Sequence, residues 1–454
     1  MVASAPRIKE YVISLCNSDC TDERLTLGGS LVINRDNSET LSLPEVSERA
    51  EEKSANGDGG HSYGLEVWLL RALLKAIGNP PLQIVLWDGR VVSTVAAPVV
   101  RVFIRDRRAL YRLCLNPDLQ FGELYSAGRL EIEGKLLAFM DLLQKSLPDY
   151  AKRGAWVKLL ARLYTWRPNT LARARDNIYH HYDIGNDFYR LWLDERMVYT
   201  CAYFPDPAIT LEAAQIAKLD HVCRKLRLQP GEEVVEAGCG WGALALHMAG
   251  HYGVKVKAFN ISKEQLAYAR QRAQEQGLDG QVEFIEGDYR EIEGTCDAFV
   301  SVGMLEHVGL QHYFELGQVI DRCLRPHGRG LIHAIGRNRP LPMNAWIEKR
   351  IFPGGYPPSL SEMARIFEPW RFSILDVENL RLHYAKTLEH WLERFEKVAD
   401  QVLRRYDANF VRAWRLYLAG SVSTFRFGEL QLFQVVFSRY QNNDIPWTRD
   451  FLYH

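Results

Sequence analysis

"VVEAGCGWGALALHMA", residues 234–249, is a short apolar run that breaks into three alternate glycines and then takes up a helical pattern. A strand that ends in a glycine turn and feeds a helix is the opening half of a βαβ unit. The stretches around it repeat the alternation. "EEVVEAGCG", "VKVKAFNIS", "VEFIEGDY", "CDAFVSVGML" and "RGLIHAIG" are apolar runs of strand length, separated by helical patterns such as "SKEQLAYARQRAQEQGL". From about Leu226 onward this predicts an α/β fold built on a doubly wound parallel sheet. "RFSILDVENL" and, after a long helical insert, "LQLFQVVFSR" supply two further strands.

The turn narrows the ligand. Gly238, Gly240 and Gly242 let the backbone turn tightly and approach a bound molecule, and the helix that follows favours an anionic or polar group at its N-terminus. The dinucleotide fingerprint needs G-x-G-x-x-G and an acid about 20 residues on. Here the spacing is G-x-G-x-G, and the next strand ends in Asn260 and Ser262. NAD is therefore disfavoured and a nucleoside without pyrophosphate fits better, S-adenosylmethionine being the common one at such a site. Glu236 at the strand end is placed for the ligand's ammonium, and Asp288 in "EGDY" for its adenine side.

The remainder bounds the chain more loosely. Its 454 residues carry 56 Lys+Arg against 56 Asp+Glu, so any anionic partner must be met by a local patch, not by net charge. Eight scattered cysteines (16, 20, 114, 201, 223, 239, 296 and 323) form no CxxC pair or metal-ligand spacing, which predicts no metal site and a reducing compartment. No run approaches the roughly 20 apolar residues of a spanning helix, and "MVASAPRIKEYVIS" lacks a signal-peptide core, so a cytoplasmic location is expected. Residues 1–63 read as an extension and mobile linker, and residues 64–150 as a small α+β domain with strands in "IVLWDGR" and "VVRVFIRD" and helical patterns after them. Residues 151–225 form a basic and aromatic helical segment and a cap, ahead of the sheet domain at 226–454. Between Ala151 and Arg175 lie seven Lys or Arg, no acid, and Trp156, Tyr164 and Trp166. That composition suits an anionic membrane surface or a solvated interdomain helix, and with no matching basic face elsewhere nucleic acid is not expected.

Residues 177–440 resemble the cyclopropane fatty acid synthase family. The likeness is carried by "HHYDIGNDFYRLWLDERMVYTCAYF" (180–204), "EAGCGWGALALHMA" (236–249), "SVGMLEHVG" (301–309), "LIHAIG" (331–336), "IFPGGYPPS" (351–359), "HYAKTLEHW" (383–391) and "LQLFQVVFSR" (430–439). The resemblance implies a class I methyltransferase (Rossmann-like) sheet with helical inserts, and methylene transfer from S-adenosylmethionine to a cis double bond of a phospholipid acyl chain. It further implies a bicarbonate ion held by Cys201, Glu306, His333, the backbone of Ile335 and Tyr384. Tyr182, Tyr199, Gly238 and Gln265 would contact S-adenosylmethionine. A homodimer, peripheral on the inner membrane face, and a lipid-access role for residues 64–150 belong to the same expectation. Leu305 stands where the family often has Phe, and Thr200 where Ser is usual.

That reaction sets physical demands. An alkene is a weak nucleophile that must be held in line with the methyl group, and water must be kept from the cation that forms. Aromatic faces can flank the developing charge. A buried base is costly unless its charge is paired. Alternatives that share the cofactor are a methyl-branched or methylene fatty acid product, or N-methylation of a small amine. A non-catalytic lipid-binding protein is the alternative of another class.

Overall fold

The computed structural model describes residues 63–147 and 185–453; the linker before residue 63, the basic segment 151–175 and Tyr182 lie outside the described residues. The chain divides into two compact units at Leu69/Leu70. Of the first, residues 63–69 are described, as the opening of the helix Tyr63–Ala76. The second unit, from Leu70, holds both sheets.

The smaller sheet has four strands, β1 (Leu82–Val85), β2 (Val91–Ser93), β3 (Val100–Ile104) and β4 (Leu130–Glu133), in the order β2-β1-β3-β4. β1 and β2 pair antiparallel across the turn at Asp88-Gly89, and β3 runs parallel to β1. Asp106 caps the helix Arg107–Leu115 by accepting from the Ala109 N–H, and Asn116 with Pro117 starts the helix Pro117–Ser126. β4 corrects the expectation of helical patterns alone after "VVRVFIRD". "LEIE" is bracketed by Gly128 and Gly134, both at positive φ (68° and 105°), which end the helix and let four alternating residues pair with β3.

The larger sheet contains the expected strands: β5 (Glu233–Ala237), β6 (Lys255–Asn260), β7 (Val282–Glu286), β8 (Cys296–Val302), β9 (Leu324–Gly336), β10 (Phe372–Asn379) and β11 (Gln431–Arg439). Their order is β10-β11-β9-β8-β5-β6-β7. Successive residues point to opposite faces, so β5 sends Val234 into a core with Leu244, Met248, Val300 and Leu331, and Val235 into another with Phe299, Leu316, Ile332 and Ile366. Helices therefore cover both faces.

The sheet is mixed, not wholly parallel, because β11 runs antiparallel to both β9 and β10. The insert explains the reversal. It is two helices, Arg381–Arg405 and Ala408–Arg426, one leading away and one returning. A helical hairpin brings the chain back to the sheet end it left, so the next strand has to run the opposite way.

In the glycine turn, Gly238, Gly240 and Gly242 sit at φ 85°, 53° and 81°. A Cβ on Gly242 would lie 2.6 Å from the Phe284 ring and 2.9 Å from the Ala269 Cβ. Gly242→Ala combines left-handed strain with overpacking, and about 2 kcal/mol or more of stability should be lost in urea unfolding. A loss below about 0.5 kcal/mol, the range of ordinary surface changes, would contradict this account of the turn.

Candidate active site

A cavity opens at the C-terminal ends of β5, β6, β8 and β9, where doubly wound sheets bind ligands. Its first half is the glycine turn. Glu236, one residue before the end of β5, is buried and takes the Ala245 backbone N–H, while its Oε2 has no hydrogen-bond partner. Burial pushes its carboxyl up to about 8, against the pull of the Lys218 ammonium. Asn260 donates to the Gly240 carbonyl (3.1 Å) and to Gln265 Oε1 (2.8 Å), so the turn and the following helix are tied by one amide. Glu236, Gly238, Gly240, Asn260 and Gln265 all line the cavity, as does Tyr199.

Gly242 and Asp288 are placed otherwise. Gly242 is the N-cap of the helix Ala243–Tyr252 and is shielded by Phe284 and Ala269. Asp288, expected on the adenine side, is not among the cavity-lining residues. Its carboxylate accepts from the Arg290 N–H and completes a capping box with Glu291.

The second half is built where β8 stops. β8 ends at Val302, opposite His333, so the Ile335 N–H two residues farther along β9 has no partner on that strand. Glu306, in the short helix Leu305–Val308, fills the gap: its Oε1 accepts from Ile335 N at 2.5 Å. Its Oε2 is buried without a hydrogen bond, and burial raises the carboxyl to about 7. Ile335 was expected to offer its backbone to an anion, but its N–H holds Glu306. Neighbouring His307 is kept neutral, pushed down to about 4 by burial.

His333 and Cys201 lie behind the cavity wall. Gln434 Nε2 bonds His333 Nδ1 at 3.0 Å, which assigns the ring proton of the neutral form to Nε2, a buried atom with no hydrogen-bond partner. Burial and the charges of Lys218 and Lys225 hold this imidazole well below its usual value. Cys201 is fully buried, donates to the Ala202 carbonyl (3.1 Å), and is pushed up by burial, as a packed thiol. Tyr384 lines the cavity from the first insert helix, its ring 4.6 Å from Phe425 and 6.0 Å from Trp391.

The remaining wall is aromatic and was not singled out in the sequence. Tyr417, on the second insert helix, meets Tyr199 hydroxyl to hydroxyl at 2.9 Å, and Phe352 packs on Tyr417 with ring centroids 5.6 Å apart. Tyr199 in turn stands 5.2 Å from Trp391. Lys218 was missed as well. It lines the cavity, is 2% exposed, and donates to Thr200 Oγ1 at 3.0 Å; burial lowers it to about 8 against Asp194, Cys201 and Glu236. Its signal was a cation on the otherwise apolar stripe Leu211, Ala214, Lys218, Val222, a buried helix face that ends in a second cation, Lys225.

Against known proteins, the profile of the mycolic acid cyclopropane synthetase family matches residues 169–435, and that of a domain of unknown function matches residues 69–148. The cyclopropane-fatty-acyl-phospholipid synthase of Escherichia coli (strain K12) is 43% identical over 343 residues, 74% of this chain and 87% of that relative. A probable fatty acid methyltransferase of Pseudomonas putida is 35% identical over 387 residues, 82% of this chain and 96% of the relative. Among solved structures, the mycolic acid cyclopropane synthase CmaA1 complexed with SAH and CTAB superposes with a TM-score of 0.55 at 31% identity, covering 58% of this chain and 97% of its own. With a matching family profile over more than half its length, and a relative of this identity over most of it, the chain belongs to the cyclopropane fatty acid synthase family of methyltransferase enzymes.

Proposed function

We propose that this protein binds S-adenosylmethionine at the glycine turn and uses it to convert a cis double bond in a phospholipid acyl chain into a cyclopropane. The observation that carries the reading is one cavity with two unlike ends. At one end Glu236 Oε2, buried and unpartnered, complements an ammonium, and the space beside Gly238 is too tight for a Cβ, which would stand 2.9 Å from Met304. At the other end Glu306 is clamped on Ile335, and the faces of Tyr199, Tyr417 and Phe352 lie between apolar walls. S-adenosylmethionine supplies an electrophilic methyl group when bound. The residues then hold the olefin, exclude water and set π-faces around the positive charge that develops on carbon.

Bicarbonate fits the donor set of Glu306, at the second end of the cavity, and of His333, behind its wall. Glu306 Oε2 is an acceptor and His333 Nε2–H a donor; both are buried and lack hydrogen-bond partners, and an ion with one hydroxyl and two further oxygens offers the complement of each. Held there with Tyr384, it would supply a base inside an apolar site. Ile335 enters this reading as the group that orients Glu306. Membrane contact at the inner face and a homodimer are part of the same proposal; among the described residues no helix is long and apolar enough to cross a membrane.

Incubation of the purified chain with S-adenosylmethionine and dioleoyl phospholipid liposomes should add one CH2 to the oleoyl chains, read by fatty-acid mass analysis, with ring protons in the NMR spectrum. No mass gain would overturn the proposal. The likeness to a fatty acid methyltransferase supports a second reading, a methyl-branched or methylene chain. Olefinic or methyl-branch signals in place of ring protons would establish that one.

A further inference from the structure

The small α+β region touches the catalytic half at particular points. Asp118, at the start of the helix Pro117–Ser126, accepts from the Ala345 backbone N–H at 2.7 Å and from the Asn344 side chain, and so caps the helix Ala345–Arg350 from outside. One turn on, Gly122 makes room for Trp346: a Cβ there would lie 2.4 Å from the indole ring. Glu123 then binds Arg350 through two hydrogen bonds, of 2.8 and 2.7 Å. One helix thus holds one short helix at its N-cap, its first turn and its C-terminus.

That short helix leads into the cavity. Phe352 lines it, with its ring 5.6 Å from Tyr417 and 6.1 Å from His307. Four residues later the Tyr356 N–H donates to the Glu306 carbonyl at 2.7 Å. A second set of contacts reaches the insert helix that carries Tyr417. Arg412 donates to the Tyr125 and Leu130 carbonyls (2.6 and 3.2 Å), Arg426 pairs with Asp141 (2.8 Å), and Met140 packs over Gly420.

We infer that the small region is a brace for the acyl-side wall of the active site, in which Asp118, Gly122 and Glu123 are positioning residues that fix Phe352 and Tyr356 and, through them, the Glu306–His307 segment. The inference rests on the reading of this cavity as the methyl-transfer site. It gives residues 69–148, where the matching family profile is one of unknown function, a part in turnover that does not involve touching the substrate. It also separates two halves of the site: the brace acts on the elements bearing Phe352 and Tyr417, whereas ligand capture at the glycine turn depends on β5, β6 and the helices after them.

The test measures three quantities on the full-length chain carrying Gly122→Ala: S-adenosylhomocysteine affinity by calorimetry, turnover on dioleoyl liposomes, and hydrogen exchange of residues 343–357. Turnover should fall at least tenfold through kcat and exchange in that loop should rise, with S-adenosylhomocysteine affinity within twofold of the parent. Asp118→Ala, which leaves the Trp346 notch intact, should lower turnover and raise exchange by less, again with affinity unchanged, and guards against a folding failure of the first variant. Trp346→Leu added to Gly122→Ala restores room and should recover part of the turnover. Unchanged kcat in a chain whose loop has loosened would overturn the brace, as would equal losses of turnover and nucleoside affinity. If the parent binds S-adenosylhomocysteine but turns over no lipid, the proposed reaction fails instead; the brace would then stand or fall on whether Gly122→Ala and Asp118→Ala raise exchange in 343–357.

Discussion

Glu306→Gln is expected to abolish turnover while making the folded protein more stable at pH 8. The carboxyl is buried with one oxygen on the Ile335 N–H and the other unpartnered, and burial holds it at about 7 where an exposed glutamate sits at 4.5. Between these values the folded chain keeps a proton that the unfolded chain has released. Stability therefore falls as pH rises through 4.5 to 7 and stays reduced above, by roughly 3 kcal/mol at most. Glutamine keeps an oxygen for Ile335 and removes that slope. The same substitution takes away the carboxylate that would orient the base, an effect of about a hundredfold or more on rate. Thermal melts of parent and variant at pH 5 to 8 should diverge as pH rises, and the liposome assay should show no added CH2 with the variant. Parallel melts, or retained activity, would remove Glu306 from the site.

Glu236→Gln should cost nucleoside affinity and flatten its pH dependence. The free protein holds Glu236 protonated up to about 8, whereas an ammonium ligand prefers the carboxylate. Binding below pH 8 thus expels a proton, and parent affinity for S-adenosylhomocysteine should rise by up to about tenfold per pH unit from 6 to 8 and then level. Lys218 opposes burial and helps ionise Glu236, so the window ends near the value set by the pair. Removing one partner of a buried charged contact costs 2–5 kcal/mol, which is about thirtyfold or more in Kd at pH 8. Calorimetry in buffers of differing ionisation enthalpy reads affinity and proton release together. A parent Kd independent of pH, or a variant that binds as tightly, would mean that Glu236 does not meet the ligand.

How far the sequence carried these conclusions depended on the range of the interactions. β5, β8 and β9 were legible as buried apolar runs and β6 and β7 as runs that alternate with exposed charges, each bounded by its own turn, a local pattern. β4 was not, since "LEIE" is too short to outweigh the helical periods on both sides and forms only by pairing with β3. The antiparallel sense of β11 follows from the insert's return path, which no window of sequence contains. Among site residues, Glu236 stood near a strand end, where its chemistry could be anticipated, and Glu306 was named through the family resemblance. Phe352 and Tyr417 gave no such sign, each reading as an ordinary loop or helix residue until distant segments meet in the cavity, and Lys218 showed only as a cation on an apolar helix stripe. The bond of Glu306 to Ile335 joins residues 29 apart and arises only because β8 is shorter than β9.

The helical insert is anchored at its root. It leaves after β10 and rejoins at β11, strands that lie side by side, and the Leu380 N–H closes the gap by donating to the Leu432 carbonyl at 2.8 Å. Both legs of this hairpin therefore start from one seam, and at its far end, the bend at Tyr406 and Asp407, the Tyr406 ring packs 5.7 Å from that of Phe188. In the proposed reaction a long hydrocarbon tail would therefore pass beneath a strap held at both ends, not beneath a lid that swings off one hinge.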